Sequence, residues 1–322
     1  MSWFITPREL HRRGIVGMNE RNVEFIARLN PRRRYPLVDD KLLTKKLALE
    51  AGIAVPELYG VLETNHEARR LRELIAGRED FVIKPAHGSG GNGILVITGR
   101  MGERFRKASG VLEDMEGLEH HVSNILSGMY SLGGQPDKAM IEYRVRFDSL
   151  FAKVSFQGVP DIRTVVYHGY PVMAMARLPT RGSDGKANLH QGAVGVGIDI
   201  TTGVTGHGVW HNEIVERHPD TGAPIGGIAI PAWDRLLALA AGCHELTGLG
   251  YLGVDVVLDR DLGPLILELN ARPGLAVQVA NAAGLRARID RIEAVQPNPP
   301  PSPVERAAFV QAVMSPARRT GS

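Results

Sequence analysis

The chain has 322 residues, 43% hydrophobic and 23% charged, with a formal net charge of +3 and one cysteine. These are the proportions of an ordinary globular protein, long enough for one large domain or two to three lobes. The charge is too mild to point to nucleic acid, a lone cysteine excludes a disulfide framework or a cysteine zinc site, and no apolar run is long enough to predict a membrane span.

Residues 1–36 read as an arm. Trp3-Phe4-Ile5 is too short for the apolar region of a signal peptide and is followed by Pro7, Arg8 and Glu9, so the expected compartment is the cytoplasm. The clusters His11-Arg12-Arg13 and Arg32-Arg33-Arg34 read first as solvated arginines; contact with an acidic partner or a membrane surface is the less favoured alternative. DDKLLTKKLALEA, residues 39–51, predicts a helix on the spacing of Leu42, Leu43, Leu47 and Leu49, capped by Asp39 or Asp40 and stopped at Gly52, with Pro56 beyond. A second helix is expected over residues 66–76.

FVIKPAHGSGGNGI, residues 81–94, is a β-rich run, a lysine and a loop crowded with glycine. Glycine lets backbone N–H groups approach an anion, so the stretch can be read as a phosphate site. It can equally be read as an ordinary mobile hairpin with a surface lysine. A Walker-type loop is disfavoured, because Lys84 precedes the glycines and Ile94-Leu95-Val96-Ile97 reads as a second strand. A helix is predicted over about 113–130 and a short strand over 139–143. From 151 to 210, apolar and polar residues alternate between glycines, which predicts antiparallel strands at 151–156, 164–168 and 172–177. Residues 233–246 predict a helix that buries Cys243 as a reduced thiol. Strands follow at 254–258 and 265–269. Past 293 the run Pro297-Asn298-Pro299-Pro300-Pro301-Ser302-Pro303 cannot pack as sheet or helix. A short amphipathic turn at 304–314 is the only structure expected in a tail that otherwise reads as disordered.

The acidic hairpin GVDVVLDRDLGPLILELNARPGL, residues 253–275, carries the strongest chemical signal. Glu268 and Asn270, two apart on one strand, point to the same face, and Asp255 can lie across from them. Three oxygen-bearing side chains in apolar strands are costly to bury uncompensated. They suit Mg²⁺, which takes one or two carboxylates plus phosphate oxygens. A solvent-facing polar stripe is the competing reading, with Val254, Val256, Leu267 and Leu269 filling the opposite face; together with the lysine and glycine loop, metal ligation is favoured.

The ordered stretches DDKLLTKKLALEAGIAVPE, FVIKPAHGSGGNG, MIEYRV, PDIRTVV, ANLHQGA and GVDVVL…LELNARPGL resemble the ATP-grasp superfamily. Within it they are most similar to the α-L-glutamate ligase-like members, related to ribosomal-protein glutamate ligase and grouped with sugar-transfer-associated ATP-grasp proteins. The resemblance covers about residues 37–290. It implies an α+β fold of two lobes whose antiparallel sheets clasp ATP, divided as an arm (1–36), a small lobe with a glycine-rich lid (37–140), a large lobe with the metal hairpin (141–292) and a tail (293–322). It places Lys45 on the α-phosphate, with Lys46 as an adjacent substitute, and Lys84 on the α- and β-phosphates. The lid Gly88, Ser89, Gly90, Gly91, Asn92 and Gly93 would close over the β- and γ-phosphates. Glu142 and Tyr143 would read adenine at the interlobe hinge, and Asp148 would hold the ribose. Asp255, Glu268 and Asn270 would bind two Mg²⁺ ions, with Mn²⁺ as a substitute. Arg163, Arg177, Asn188 and Arg272 would serve the acyl-phosphate and substrate side, where the guanidinium fork suits carboxylate and phosphate; a surface or structural role remains open for Arg177. His190 reads rather as a hydrogen-bonded loop residue.

The activity so implied is a carboxylate–amine ligase working through an acyl phosphate, with glutamate or another amino acid as candidate substrate and small molecules or peptides as partners. Two alternatives stand beside it: an ATP-dependent kinase or sugar-linked ligase on the same scaffold, and a non-catalytic ATP-binding regulator. Two departures are visible. The arm is too short for the N-terminal domain of glutamate ligases, so GIVGMNERN (14–22) is expected simply to pack on the large lobe. The position of Arg272 is small in the ribosomal-protein ligases, so the acceptor side is expected to differ.

Overall fold

The structure, a computed structural model, describes residues 6–88, 91–131, 133–295 and 301–315. Ser89 and Gly90 of the expected lid, and residues 297–300 of the proline-rich run, lie outside the described residues.

The arm holds α1 (Pro7–Arg12), α2 (Met18–Glu20) running into a π-helical turn (Arg21–Ala27), and α3 (Pro36–Asp39). It is bonded to the large lobe by two buried amides. The Asn30 side chain donates to Tyr251 O (2.6 Å) and Ala271 O (2.7 Å) and accepts from Tyr251 N (3.0 Å). The Gln278 side chain accepts from Val16 N (2.9 Å) and donates to Val16 O (3.0 Å). Phe25 is buried against Tyr167 and Tyr251 of the large lobe, a contribution of about 2 kcal/mol for an aromatic of that size. Residues 14–22 therefore do pack on the large lobe.

α4 (Lys41–Glu50) begins where Asp40 accepts from Leu42 N and Leu43 N, satisfying two of the helix's free donors. Its buried face is Leu42, Thr44, Lys45 and Ala48, whereas Leu49 is 53% exposed. The leucine stripe expected from spacing is thus rotated, and Lys45 takes a core position. The helix expected at 66–76 is a 3₁₀ stretch (Asn65–Arg70) leading into α5 (Leu71–Leu74). β1 (Leu58–Leu62), β2 (Phe81–Pro85), β3 (Leu95–Met101), β4 (Arg104–Lys107), β5 (Leu112–Glu113) and β6 (Ala139–Glu142) form a sheet of order β1-β6-β2-β3-β4-β5. It packs on α5 and α6 (Met115–Leu126) through a core that includes Leu71, Phe81, Ile83, Leu118 and Ile125. β6 pairs with both β1 and β2, so this sheet ends after Glu142 and not at 140.

The larger sheet has β7 (Asp161–Tyr167), β8 (Tyr170–Leu178), β9 (Val194–Ile198), β10 (Thr205–Trp210), β11 (Glu213–Val215), β12 (Tyr251–Asp259) and β13 (Gly263–Asn270), in the order β11-β10-β9-β8-β7-β12-β13. α7 (Trp233–Thr247), α8 (Ala276–Ala280) and α9 (Arg286–Glu293) pack on it. Cys243 is fully buried, and burial pushes its thiol up. The strand expected at 151–156 is absent: a 3₁₀ turn (Ser149–Phe151) capped by Asp148 buries Phe151 and Val154, three residues apart, a helical spacing that alternation alone does not reveal.

The tail also departs from expectation. Residues 303–314 form α10 (Pro303–Met314), a full 12-residue helix and not a short turn in a disordered tail. Ser302 and Glu305 build a capping box at its start. Arg306, 2% exposed, donates to Gly169 O (3.0 Å) and Pro301 O (2.9 Å) and reaches Glu245 at 2.6 Å. Proline at the first helical turn starts the helix and does not prevent it. Among the described residues no helix is long and apolar enough to cross a membrane.

Candidate functional site

Lys45 from α4 and Lys84 from β2 converge on one carboxylate. The Lys84 ammonium lies 2.5 Å from one oxygen of Glu142, and Lys45 is bonded to the other. Lys45 also donates to Pro56 O (2.6 Å). All three side chains are buried. Burial pulls Lys45 down to about 8; the Glu142 carboxylate opposes that shift and Lys84 adds to it. Burial pushes the Glu142 carboxyl up, but the two ammonium groups outweigh it and hold the group below the usual range. The Glu142 side chain, expected at an adenine, is thus the counter-charge of the lysines.

The acidic hairpin is β12 and β13, with Asp255 directly opposite Glu268 and Gly253 opposite Asn270. A bulge follows Asp255, so that Val256 faces Ile266 and Leu267 is left without a partner; the regular apolar stripe expected on the far face is interrupted there. Asp255 is buried and gripped by two arginines. Arg163 binds both its oxygens, one at 2.8 Å, and Arg177 reaches Oδ2 at 2.7 Å. Arg177 also makes a two-pronged bond to Asp161 (2.5 and 2.6 Å). Burial raises Asp161 to about 6 despite that arginine. For Asp255 burial acts upward, yet Arg163 and Arg177 together hold it low. Arg177, which sequence left between a substrate role and a structural one, is here an internal ion-pair partner.

Glu268 is different. Its side chain is 44% exposed and lies 3.3 Å from the Lys41 ammonium. The Asn270 side-chain oxygen accepts from Arg272 N (2.8 Å). Among the described residues there is no group of three or more His, Cys, Asp or Glu side chains able to hold a metal. An ion here would meet the Glu268 carboxylate and the Asn270 amide oxygen at the cleft, with Asp255 as a second carboxylate only where it gives up part of its pairing with Arg163 and Arg177. That donor set fits Mg²⁺ completed by oxygens from a bound phosphate, and it does not fit zinc or a closed all-protein cage.

Two adjoining spaces, sharing Val38, Lys41, Glu268 and Leu269 in their walls, lie between the lysines and the hairpin. A cleft of about 610 Å³ is bounded by Asp39, Lys41, Gly88, Glu268, Asn270 and Arg272. A slot of about 10 Å³ is lined by Lys41, Glu268, Lys45, Lys84 and Leu267. Two of the three predicted ligands, Glu268 and Asn270, and both predicted phosphate lysines therefore border these adjoining spaces, whereas Asp255 lines neither and has its charge already matched by Arg163 and Arg177.

The glycine loop is tied down on both sides. Gly88 bridges to Ser131. Gly91 (φ +80°) and Gly93 (φ +76°) have left-handed backbones, which a side chain tolerates poorly. A Cβ on Gly93 would also sit 2.6 Å from the Tyr130 ring. His121 Nε2 donates to Gly93 O at 3.0 Å. Asn92 is exposed.

Other predicted residues are engaged elsewhere. Tyr143 donates its hydroxyl to Asp259 (3.0 Å), and burial together with that carboxylate pushes the phenol up to about 12. Asp148 accepts from Leu150 N (2.8 Å) and Asn188 from His190 N (3.0 Å), each capping a 3₁₀ turn. His190 is itself exposed. Arg272 pairs with Asp39 at 3.4 Å and lies over the Tyr35 ring at 5.0 Å. Sequence reasoning missed Lys41, Asp39 and His87, which border the cleft, and Lys186, whose Cδ lies 3.6 Å from where a Gly91 Cβ would stand. The signal for Lys41 was available: it precedes Lys45 by four residues, hence on the same helix face.

The family model described as sugar-transfer associated ATP-grasp matches residues 20–294. A probable alpha-L-glutamate ligase of Maridesulfovibrio salexigens is 26% identical over 238 residues, 73% of this chain and 56% of the relative. One from Enterobacter sp. (strain 638) is 25% identical over 236 residues, with the same coverage of 73% and 56%. The chain thus spans about half the length of these curated relatives. Among solved structures, a D-alanine–D-alanine ligase from Bacillus anthracis superposes with a TM-score of 0.45 at 14% identity, covering 87% of this chain and 70% of that one, a likeness too distant to build on.

Proposed function

The chain belongs to the sugar-transfer-associated ATP-grasp family, and from that premise we propose that it is an ATP- and Mg²⁺-dependent ligase joining a carboxylate to an amine. Its two antiparallel sheets with flanking helices are an α+β ATP-grasp fold. The observation that carries the reading is that Lys45 and Lys84, which converge on Glu142, line the same slot as Glu268. Paired cations facing hard oxygen ligands match a polyphosphate and its counter-ion.

In this reading Lys45 and Lys84 leave Glu142 in part to meet the phosphates, and the loop from Gly88 to Gly93 covers them. Glu268 and Asn270, with Asp255 where it gives up part of its arginine pairing, would hold the ion, which would neutralise charge on the transferring phosphoryl group. Arg163 keeps Asp255 oriented, and Arg272 meets the substrate at the open end of the cleft. Catalysis is then positioning and electrostatics: a substrate carboxylate attacks the γ-phosphorus, ADP leaves, and an amine displaces phosphate from the acyl phosphate. No side-chain nucleophile is required, in keeping with the inert burial of Cys243. An amino acid such as glutamate is the first substrate to try, on the names of the curated relatives.

The test is phosphate release from Mg-ATP against amino acids and short peptides, singly and in pairs, with hydroxylamine as a trap and Glu268→Ala as control. Carboxylate-dependent release that yields a hydroxamate and is lost in the variant supports the ligase. Release without hydroxamate points to a kinase. Binding of ATP with no release across a broad panel points to a regulator.

A further inference from the structure

Three consecutive residues at the junction of α3 and α4 reach three parts of the site. Asp39 pairs with Arg272 at 3.4 Å. Asp40 lies 3.5 Å from His87 Nε2, next to the lid root. Lys41 makes the most connections. Its backbone N–H donates to Ala86 O at 3.1 Å. Its ammonium donates to Gly88 O at 2.5 Å and lies 3.3 Å from Glu268 Oε1. The side chain is only 17% exposed. It borders both the cleft and the slot.

We propose that Lys41 is a positioning residue that makes metal entry depend on nucleotide: its ammonium is the counter-charge of Glu268 until a metal–nucleotide complex arrives, and the same ammonium anchors the lid root at Gly88. The inference rests on the ligase reading and concerns the order in which that site fills. A divalent ion on Glu268 would stand beside an ammonium held at one of its oxygens, and like charges that close repel strongly even with the screening of a protein surface. A bare ion is therefore disfavoured. A polyphosphate brings negative charge enough for ion and ammonium to remain together, and Lys41 then keeps its bond to Gly88. Lys45 and Lys84 do not serve this purpose, because they pair with Glu142 and not with Glu268. Lys46, on the same helix, is exposed and lines neither space.

The test measures Mn²⁺ binding by electron paramagnetic resonance in wild type, Lys41→Met, Lys41→Arg and Lys46→Met, with and without a non-hydrolysable ATP analogue. Without nucleotide, Lys41→Met is expected to bind Mn²⁺ about fivefold more tightly than wild type, the scale of one partly exposed ion pair. Lys41→Arg and Lys46→Met are expected to match wild type. With the analogue present the gap should close. Hydrogen exchange supplies an independent readout: amides at 91–94 should exchange faster in Lys41→Met than in wild type, through loss of the Gly88 anchor. Equal Mn²⁺ affinity in wild type and Lys41→Met without nucleotide overturns the proposal, as does an equal gain in Lys46→Met, which would reduce it to net charge. Wild type that binds no Mn²⁺ even with the analogue overturns the ligase reading and this inference with it.

Discussion

Lys84 and Glu142 meet across neighbouring strands, the ammonium 2.5 Å from the carboxylate, with neither side chain more than 6% exposed. With Lys45 on the other oxygen, the group carries two positive charges and one negative in a nearly dry place. Such an arrangement has a built-in demand for a second anion.

Glu142→Gln should therefore be costly without ligand and partly rescued by one. Removing the shared counter-charge from a buried group is expected to lower stability by about 3–5 kcal/mol. Saturating nucleotide analogue with Mg²⁺ should raise the melting temperature of the variant more than that of wild type. Thermal melts of both proteins with and without analogue test this; an equal rise in the two would show that the carboxylate and the phosphates do not share the lysines.

Analogue affinity should depend on pH through Lys45. Its ordinary value of 10.5 is brought down to about 8. Below that pH the ammonium is charged and available. Above it the free protein gives up the proton, and phosphate binding must take it back. Affinity is then expected to fall as pH rises past about 8, by at most tenfold per pH unit. Lys45→Arg keeps the charge and should flatten the profile. Calorimetric titration from pH 7 to 9.5 reads both.

Asp255 and Glu268 should separate stability from turnover. Asp255→Asn leaves Arg163 and Arg177 without a full counter-charge in a buried place, an expected loss of about 3–5 kcal/mol together with loss of ATP turnover. Glu268 is 44% exposed, so Glu268→Gln should shift stability by no more than about 0.5 kcal/mol while still abolishing turnover. Urea denaturation beside an ADP-release assay distinguishes the two; a large stability loss in Glu268→Gln would contradict the assignment.

The C-terminal helix should matter to the fold and not to the nucleotide. Arg306→Ala strips a buried guanidinium from Gly169 O, Pro301 O and Glu245. The expected cost is about 3 kcal/mol, with analogue affinity at 10 °C unchanged. A variant that loses affinity in proportion to stability would tie α10 to the site.

The residues themselves determined the local content of this protein. A lysine before a glycine loop, and a carboxylate with a Glu-x-Asn pair on consecutive strands, could be read because strand periodicity fixes which side chains share a face. α4, the two sheets' hairpins and α7 were likewise legible from caps, glycines and alternation. Tertiary structure decided which charges meet. That Glu142 neutralises Lys45 and Lys84, that Asp255 is held by Arg163 and Arg177, and that Lys41 spans the lid and Glu268 are contacts between residues 58 to 227 positions apart in most cases. No local pattern encodes such a partner. The helix at 303–314 was hidden for a related reason: its proline-rich approach reads as disorder alone, and only burial of Ala307 and Val310 against the large lobe offsets the entropy of ordering it.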